Sequence, residues 1–474
     1  MRRAKIVCTI GPATDSRQKL RELIEAGMDV ARLNFSHGEH QTHATVIRHI
    51  RELCVELGKP VALLQDLQGL KIRTGNLAGG VPVQLTKGRR FLITTESIDG
   101  NQERVSTSYR DLPKDIKAGD RILVSDGLIE LKVLETTDTE VRCEIVSGGM
   151  LAQRQGINIP GAMISAPALT AKDLDDLQFG IEQQVDYIAL SFVRRAEDVL
   201  DLKEKLSEKR LDIPIIAKLE KPRAIDNLSR IMDVCEGVMV ARGDLGVEIT
   251  PEKVPVIQKH IIREANRKGK LVITATQMLE SMINNPRPTR AEASDVANAV
   301  FDGTDALMLS GETAKGSYPV ESVQMMVKII HEAEKDGVHC QVRAVSSADV
   351  LSFPEAVCDA AYHASTSIRA RAIVAFTQTG STAKMISKYR PPSDILAFTP
   401  HDRIVSRMCL YWGVIPMRLH EITNVDELIC TLDDVLMERQ IVKENDNLII
   451  ITGAPIMEKG HTSLMKLHSV RKAP

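Results

Sequence analysis

No stretch of this 474-residue chain approaches ~18 consecutive apolar residues, so a membrane-spanning helix is not expected. The opening "MRRAKIVCTIG" is basic, but its apolar run is too short for a signal-peptide core. An excess of one charge sign is also missing. The formal net charge is −2, which argues against a nucleic-acid partner or an anionic membrane surface. The eight cysteines, at 8, 54, 143, 235, 340, 358, 409 and 430, form no Cys-x-x-Cys pair. In a chain this long they read as reduced thiols filling core positions, and a cytoplasmic protein is expected. No His-Glu-x-x-His, no Walker lysine loop and no Ser-His-Asp arrangement is present.

What the chain does contain is a repeated unit. Short apolar runs alternate with amphipathic helical stretches: "KIVCTI" (5–10), "DVARLNF" (29–35), "VALLQDL" (61–67), "DYIALSF" (186–192), "PIIAKLE" (214–220), "GVMVARGDL" (237–245), "LVITATQ" (271–277) and "ALMLSGE" (306–312). Near-continuous apolar character without in–out alternation marks strands covered on both faces. Eight such units over roughly 250 residues, once an insertion is set aside, predict an α/β fold, a (β/α)8 barrel. A doubly wound open sheet is the competing arrangement, and the similar length of the units favours closure.

The insertion follows the third run. Alternating, turn-punctuated segments such as "RILVSDGLIELKVL" and "EVRCEIV" predict a small all-β domain placed as a lid on the barrel's C-terminal face. The expected organisation is barrel (1–70), β lid (71–165), barrel again (166–340) and a C-terminal α/β domain (341–474) that is regulatory or structural.

Polar residues interrupt the apolar runs where they should face an active site. These are Arg32 and Asn34, Asp66, Lys218 and Glu220, Asp244, Thr274 and Thr276, and Glu312. Arg32/Asn34 and Lys218/Glu220 are spaced so that each pair shares one strand face. Glu220 and Asp244 offer hard oxygens suited to Mg²⁺ or Mn²⁺. Arg32, Lys218 and Arg73 add positive charge for an anionic substrate. A divalent metal, several cations and few general bases is the set that phosphoryl transfer needs. The alternative is that these are buried ion pairs tying strand ends together.

Six segments, "ARLNFSHG", "IRTG", "KLEKPRAIDNL", "MVARGDLGVE", "TATQMLESMINNPRPTRAEASDVANAVFDGTDA" and "MLSGETAKGSYPVE", together resemble the pyruvate kinase family over nearly the whole chain. The resemblance implies phosphoryl transfer from phosphoenolpyruvate to ADP, giving pyruvate and ATP. It implies that Glu220 and Asp244 hold the divalent metal, that Lys218 stabilises charge on the phosphoryl group and enolate, and that Arg32 binds phosphate. Asn34 would belong to the substrate site, and amides at Gly243 and Asp244 would meet the substrate carboxylate. Thr276 would help deliver a proton. Arg73 and Arg195, the latter replacing a lysine, would approach the ADP phosphates as the lid closes, with Lys315 and Glu312 on the nucleotide side.

Many family members bind potassium through oxygens of the Asn34, Ser36 and Asp66 type plus a threonine. Here the threonine position is Leu67, and Lys71 stands where they carry glutamate. The pairing implies a Lys71 ammonium that works with Asp66 in place of the monovalent cation, so potassium is expected not to be required. In the C-terminal domain, Thr377, Thr379, Gly380, Ser381 and Thr382 lie between a strand and a helix. They predict a phosphate pocket for an allosteric effector, with simple N-capping as the alternative. His37, His40 and His43 read as a turn residue and an exposed helix start rather than a metal site. The resemblance also implies a homotetramer. Two other functions fit parts of the pattern: a carbon–carbon lyase on the same Mg²⁺ barrel, and a phospho-metabolite sensor with an inactive barrel.

Overall fold

The computed structural model describes residues 2–335, 351–420, 425–453 and 462–471. The expected boundary at 340/341 lies outside the described residues. The eight apolar runs form the strands β1 (Lys5–Ile10), β2 (Val30–Asn34), β3 (Ala62–Asp66), β4 (Tyr187–Leu190), β5 (Ile215–Leu219), β6 (Gly237–Ala241), β7 (Leu271–Ala275) and β8 (Ala306–Leu309). They pair in parallel with their chain neighbours, and β8 returns to β1, closing a barrel. The open-sheet alternative is therefore excluded. Nearly every residue of these strands is buried because helices cover the outside and side chains fill the inside. Outward-facing Ile6, Leu63, Ile215 and Leu307 join one core cluster with the surrounding helices. Inward-facing Val7, Leu64, Ile216 and Ile273 belong to another.

The insertion between β3 and β4 is built mainly of β-strands, with one short helix at Leu112–Asp115. Its main sheet has six strands, with Ile129–Thr136 and Glu140–Ser147 at its centre. Along both of these, buried and exposed residues alternate, and the buried face forms a separate core around Phe91, Leu131 and Val133. The turn Ser125–Gly127 takes left-handed backbone at all three residues, and a Cβ on Gly127 would lie 3.8 Å from Val247 of the barrel. This tip of the lid therefore reaches the helix Arg242–Glu248 that follows β6.

The C-terminal domain is a five-stranded sheet in the order Val414–Arg418, Asp394–Thr399, Ala372–Phe376, Asn447–Thr452, Leu464–Ser469, with only the last strand antiparallel. The edge strand Val414–Arg418 was not legible in the sequence. It contains Pro416, which a sheet tolerates at its edge. The domain packs against the N-terminal end of the barrel, away from the rim where polar residues gather. Asp305, just before β8, is fully buried and receives the ammonium of Lys388 and the guanidinium of Arg390 at 2.8 Å. Trp412 lies under Arg390 at 4.5 Å, and Tyr187 Oη donates to the Arg407 carbonyl at 2.6 Å. Segment Tyr389–Pro392 is thus an interdomain tie.

Candidate active site

Strand β5 brings Lys218 to the C-terminal rim, and Glu220 follows on the same face. The Lys218 ammonium lies 3.0 Å from Glu220 Oε1 and 3.2 Å from Asp66 Oδ1 at the end of β3. It also donates to Ser191 Oγ at 2.7 Å, just past β4. From β2, Arg32 donates through Nε to Asp66 Oδ2 at 2.7 Å and through Nη1 to Thr9 Oγ1 at 2.9 Å. Five strand ends thus converge on one buried cluster of alternating charge. The spacing argument for Lys218/Glu220 holds, because residues two apart face the same way along a strand.

Burial pushes the Asp66 carboxyl upward, but Lys218 and Arg32 outweigh it and hold it below its ordinary range. Burial likewise opposes the charge on Lys218, yet Asp66 and Glu220 raise its pKa overall. Glu220 goes the other way. Burial, together with the nearby Asp244 carboxylate, raises it despite Lys218 and the Phe192 amide, which donates to Oε2 at 2.8 Å. A neighbouring carboxylate makes Glu220 costlier to ionise, and a cation between the two relieves that cost. The pair therefore suits a hard divalent metal, with Asp244 bearing no hydrogen bond or ion pair among the described residues.

Thr276 sits one residue past β7 with φ +69, followed by Gln277 at φ +53. A β-branched residue in left-handed backbone is costly and persists only where the surroundings hold it. Arg242 does the holding, a role that sequence reasoning missed. Its Nη2 donates to the Thr276 carbonyl at 2.6 Å, and its Nη1 pairs with both Asp295 oxygens at 2.9 and 2.7 Å. Thr276 Oγ1 accepts from the Gly243 amide at 2.8 Å, which places the hydroxyl against the first turn of the helix carrying Asp244. The loop beyond is pinned by Glu292, which caps its own helix with Thr289 and accepts from the Ser281 amide at 2.7 Å.

Other rim residues divide into those the structure gathers here and those it does not. Asn34 aligns with Asp66 across β2 and β3 and accepts from the Ser36 amide at 3.2 Å. Thr274 faces away and donates to Thr304 Oγ1 at 2.9 Å. Glu312 is buried and accepts from the Leu279 and Ser310 amides at 3.0 and 2.7 Å, so it braces two loops. Arg73 joins the lid to its hinge, donating to the Arg154 carbonyl at 3.1 Å. Arg195 is 55% exposed and only loosely associated with Glu197 and Asp198 at 3.9 and 3.7 Å. Its neighbour Arg194 is the structural member of the pair, binding the Ile164 carbonyl at 2.6 Å where the chain returns from the lid. Lys315 is exposed beyond the short helix Gly311–Ala314.

Lys71 is exposed, and no hydrogen bond or ion pair holds its ammonium among the described residues. Asp66 is engaged by Arg32 and Lys218 and not by Lys71. The Lys71 charge nevertheless faces the strand-two turn. Burial lowers the pKa of His37, and Lys71 is the next contributor, ahead of Arg73. Leu67 is fully buried. Contrary to the expectation of an exposed helix start, His43 is buried, stacks on Phe35 with centroids 4.4 Å apart, and hydrogen-bonds the His37 carbonyl at 3.0 Å. Its position on the inner face of the helix His40–Leu57 explains the difference. His40 lies 2.7 Å from Asp176, whose other oxygen takes Lys172 at 2.6 Å.

In the C-terminal domain Thr377 Oγ1 accepts from the Gly380 amide at 2.9 Å. Thr382 pairs with Thr462 at 2.7 Å, and Thr379 donates to Ser381 at 3.0 Å. Gly380 has φ +86, a conformation that suits glycine, and opens the helix Ser381–Lys388.

Residues 1–323 match the family described as pyruvate kinase, barrel domain, and residues 355–468 match pyruvate kinase, alpha/beta domain. A pyruvate kinase from Staphylococcus epidermidis is 46% identical over 473 residues, covering 99% of this chain and 81% of that protein. One from Staphylococcus aureus is equally similar, at 46% over 473 residues. The crystal structure of a pyruvate kinase from Cryptosporidium parvum superposes with a TM-score of 0.92 at 37% identity, over 99% of this chain and 96% of that one.

Proposed function

The chain belongs to the pyruvate kinase family and moves the phosphoryl group of phosphoenolpyruvate to ADP, giving pyruvate and ATP; on that premise we propose that it does so without potassium, under the control of a phosphorylated effector. The supporting observation is the paired change at Leu67 and Lys71. Leu67, buried immediately after it, has no oxygen to offer an ion, and the unpaired Lys71 ammonium bears on the same turn that carries Asn34 and Ser36. A tethered ammonium supplies the charge of a monovalent ion without its entropy of capture.

In this reading Arg32 and Lys218 receive the phosphoryl oxygens, and Lys218 also faces the enolate oxygen, where charge develops during transfer. The family generally uses Mg²⁺. Glu220 and Asp244 would hold Mg²⁺ or Mn²⁺, which when bound draws charge from the phosphoryl and enolate oxygens. The Gly243 and Asp244 amides at the helix start orient the substrate carboxylate, with Asn34 on the same rim. Thr276, fixed by Arg242, passes a proton toward the enolate carbon through water. Arg73, Arg195 and Lys315 take the nucleotide phosphates as the lid closes and excludes competing water.

The effector occupies the Thr377–Thr382 turn of the C-terminal domain. We further propose a cytoplasmic homotetramer; Leu467, 55% exposed on the antiparallel edge strand, supports an assembly contact there. Among the described residues no helix is long and apolar enough to cross a membrane.

The test is the initial rate of pyruvate formation in potassium-free buffer and then with potassium added. Full activity without potassium is expected. Activity that appears only with potassium would sink the Lys71 reading.

A further inference from the structure

The two residues that follow β4, Ser191 and Phe192, touch Lys218, Glu220 and the start of the lid. We propose that Ser191 is a positioning residue that ties the Lys218 ammonium to the lid hinge, residues 67–71, so that substrate on Lys218 and the setting of the lid are coupled. The inference rests on the reading above, in which Lys218 receives the phosphoryl group.

The contacts run in one direction. Ser191 is 2% exposed, and its Oγ accepts from Lys218 Nζ at 2.7 Å. A hydroxyl has a single proton to give. The Leu67 carbonyl takes it at 2.7 Å, ahead of Asp66 Oδ1 at 3.3 Å. Leu67 is the first residue beyond β3, where the barrel passes into the lid. Among the described residues the other partners of the ammonium are the Asp66 and Glu220 carboxylates, so Ser191 is its one neutral anchor. An ammonium has three protons, and all three are engaged here. A phosphoryl oxygen arriving at Lys218 must therefore share or displace one of these bonds, and a change in the Ser191 bond reaches the Leu67 carbonyl in one step.

The hinge is seated on the same two residues. Gly69 takes φ +65, and a Cβ there would lie 3.0 Å from Phe192 Cδ2 and 3.1 Å from Ser191 Cβ. The Leu67 amide donates to the Ala189 carbonyl and the Gly69 amide to Asp173 Oδ1, each at 3.0 Å. Phe192 carries φ +54, a costly conformation for an aromatic residue that persists only where the surroundings hold it. Its amide meets Glu220 Oε2 at 2.8 Å. Adjacent residues of one strained turn thus hold Lys218 and Glu220 and support the hinge. Coupling of this kind is reciprocal: if substrate steadies the hinge, a displaced hinge weakens the hold on substrate.

The experiment combines steady-state kinetics with hydrogen–deuterium exchange on the full chain, with and without Mg²⁺ and phosphoenolpyruvate, ADP being left out of the exchange samples. In the parent, substrate is expected to slow exchange across residues 67–71. In Ser191→Ala, kcat should fall about tenfold to a hundredfold, as loss of one hydrogen bond to a charged group does, with KM for phosphoenolpyruvate within about threefold. Saturating substrate should no longer protect the hinge in that variant. Gly69→Ala leaves Ser191 and Lys218 in place but crowds the hinge away from them. It should also lower kcat, and the double variant should lose less than the product of the two single losses. If Ser191→Ala does not fold, Gly69→Ala gives the same two readouts from the hinge side. A parent-like kcat in Ser191→Ala, hinge protection retained in that variant, or no protection in the parent would each overturn the coupling. Full turnover in Lys218→Met would instead defeat the reading of Lys218 on which it rests. Low turnover in Lys218→Met beside a parent-like Ser191→Ala would leave that reading standing and refute this inference alone.

Discussion

Replacing Lys218 with methionine removes the charge at the centre of the rim while keeping a stem of similar length. Three contacts disappear: Ser191 at 2.7 Å, Glu220 at 3.0 Å and Asp66 at 3.2 Å. Asp66 keeps Arg32 at 2.7 Å. Glu220 keeps only the Phe192 amide at 2.8 Å and loses the cation that opposes burial and Asp244. Its pKa therefore moves further upward, toward the pH of assay. Loss of one preorganised charge facing the developing anion costs about 10²–10³ in kcat, or roughly 3–4 kcal/mol. A second effect follows from Glu220. A carboxyl with a higher pKa is ionised only at higher pH, so the acid limb of the activity profile shifts upward and more Mg²⁺ is needed at pH 7. The assay is kcat and Mg²⁺ dependence from pH 6 to 9, with thermal unfolding as the control for folding. A turnover within about threefold of the parent, with an unmoved acid limb, would refute the electrostatic role.

Three further outcomes are expected. In Lys71→Met the NMR titration of His37 should shift to higher pH, because burial remains but the largest charge contribution that lowers it is gone; an unchanged midpoint would remove Lys71 from this site. Asp305→Asn strands Lys388 and Arg390 without their buried counter-charge and should cost about 3–5 kcal/mol. Denaturation followed by the lone Trp412 measures it, and a loss under about 1 kcal/mol would contradict the tie. In Gly237→Ala the new Cβ would lie 2.8 Å from Leu271 Cβ and 2.9 Å from the Leu271 carbonyl oxygen. Neither atom can turn aside, so a loss of about 1–3 kcal/mol in urea denaturation is expected, and a neutral result would be inconsistent with this packing.

The barrel was legible because both faces of its strands are covered, which leaves a run of apolar residues that no exposed element can afford. The lid was legible from the opposite pattern, strict alternation, since one face meets water. Lys218 and Glu220 could be paired because a strand's side-chain period is two. The same rule said nothing about Asp66. Its partners, Arg32 and Lys218, come from strands 34 residues before it and 152 residues after it, and only closure of the barrel brings them within 2.7 and 3.2 Å. Arg242 was invisible for a related reason: its partners are the Thr276 carbonyl, which every residue type offers, and Asp295, which lies on a distant helix. His43 was misjudged because a polar residue near a helix start defaults to the surface, whereas its ring packs on Phe35.

The sequence by itself therefore determined the barrel strands and their order, the lid, the family and the kinds of charge at the rim. These depend on local periodicity and on residue type, which the chain carries in any conformation. The tertiary structure decided which charges meet, which threonine faces the site, and that Asp66 is held by Arg32 and Lys218 while Lys71 stays free. Those are distances between residues far apart in the chain, and only the folded backbone sets them.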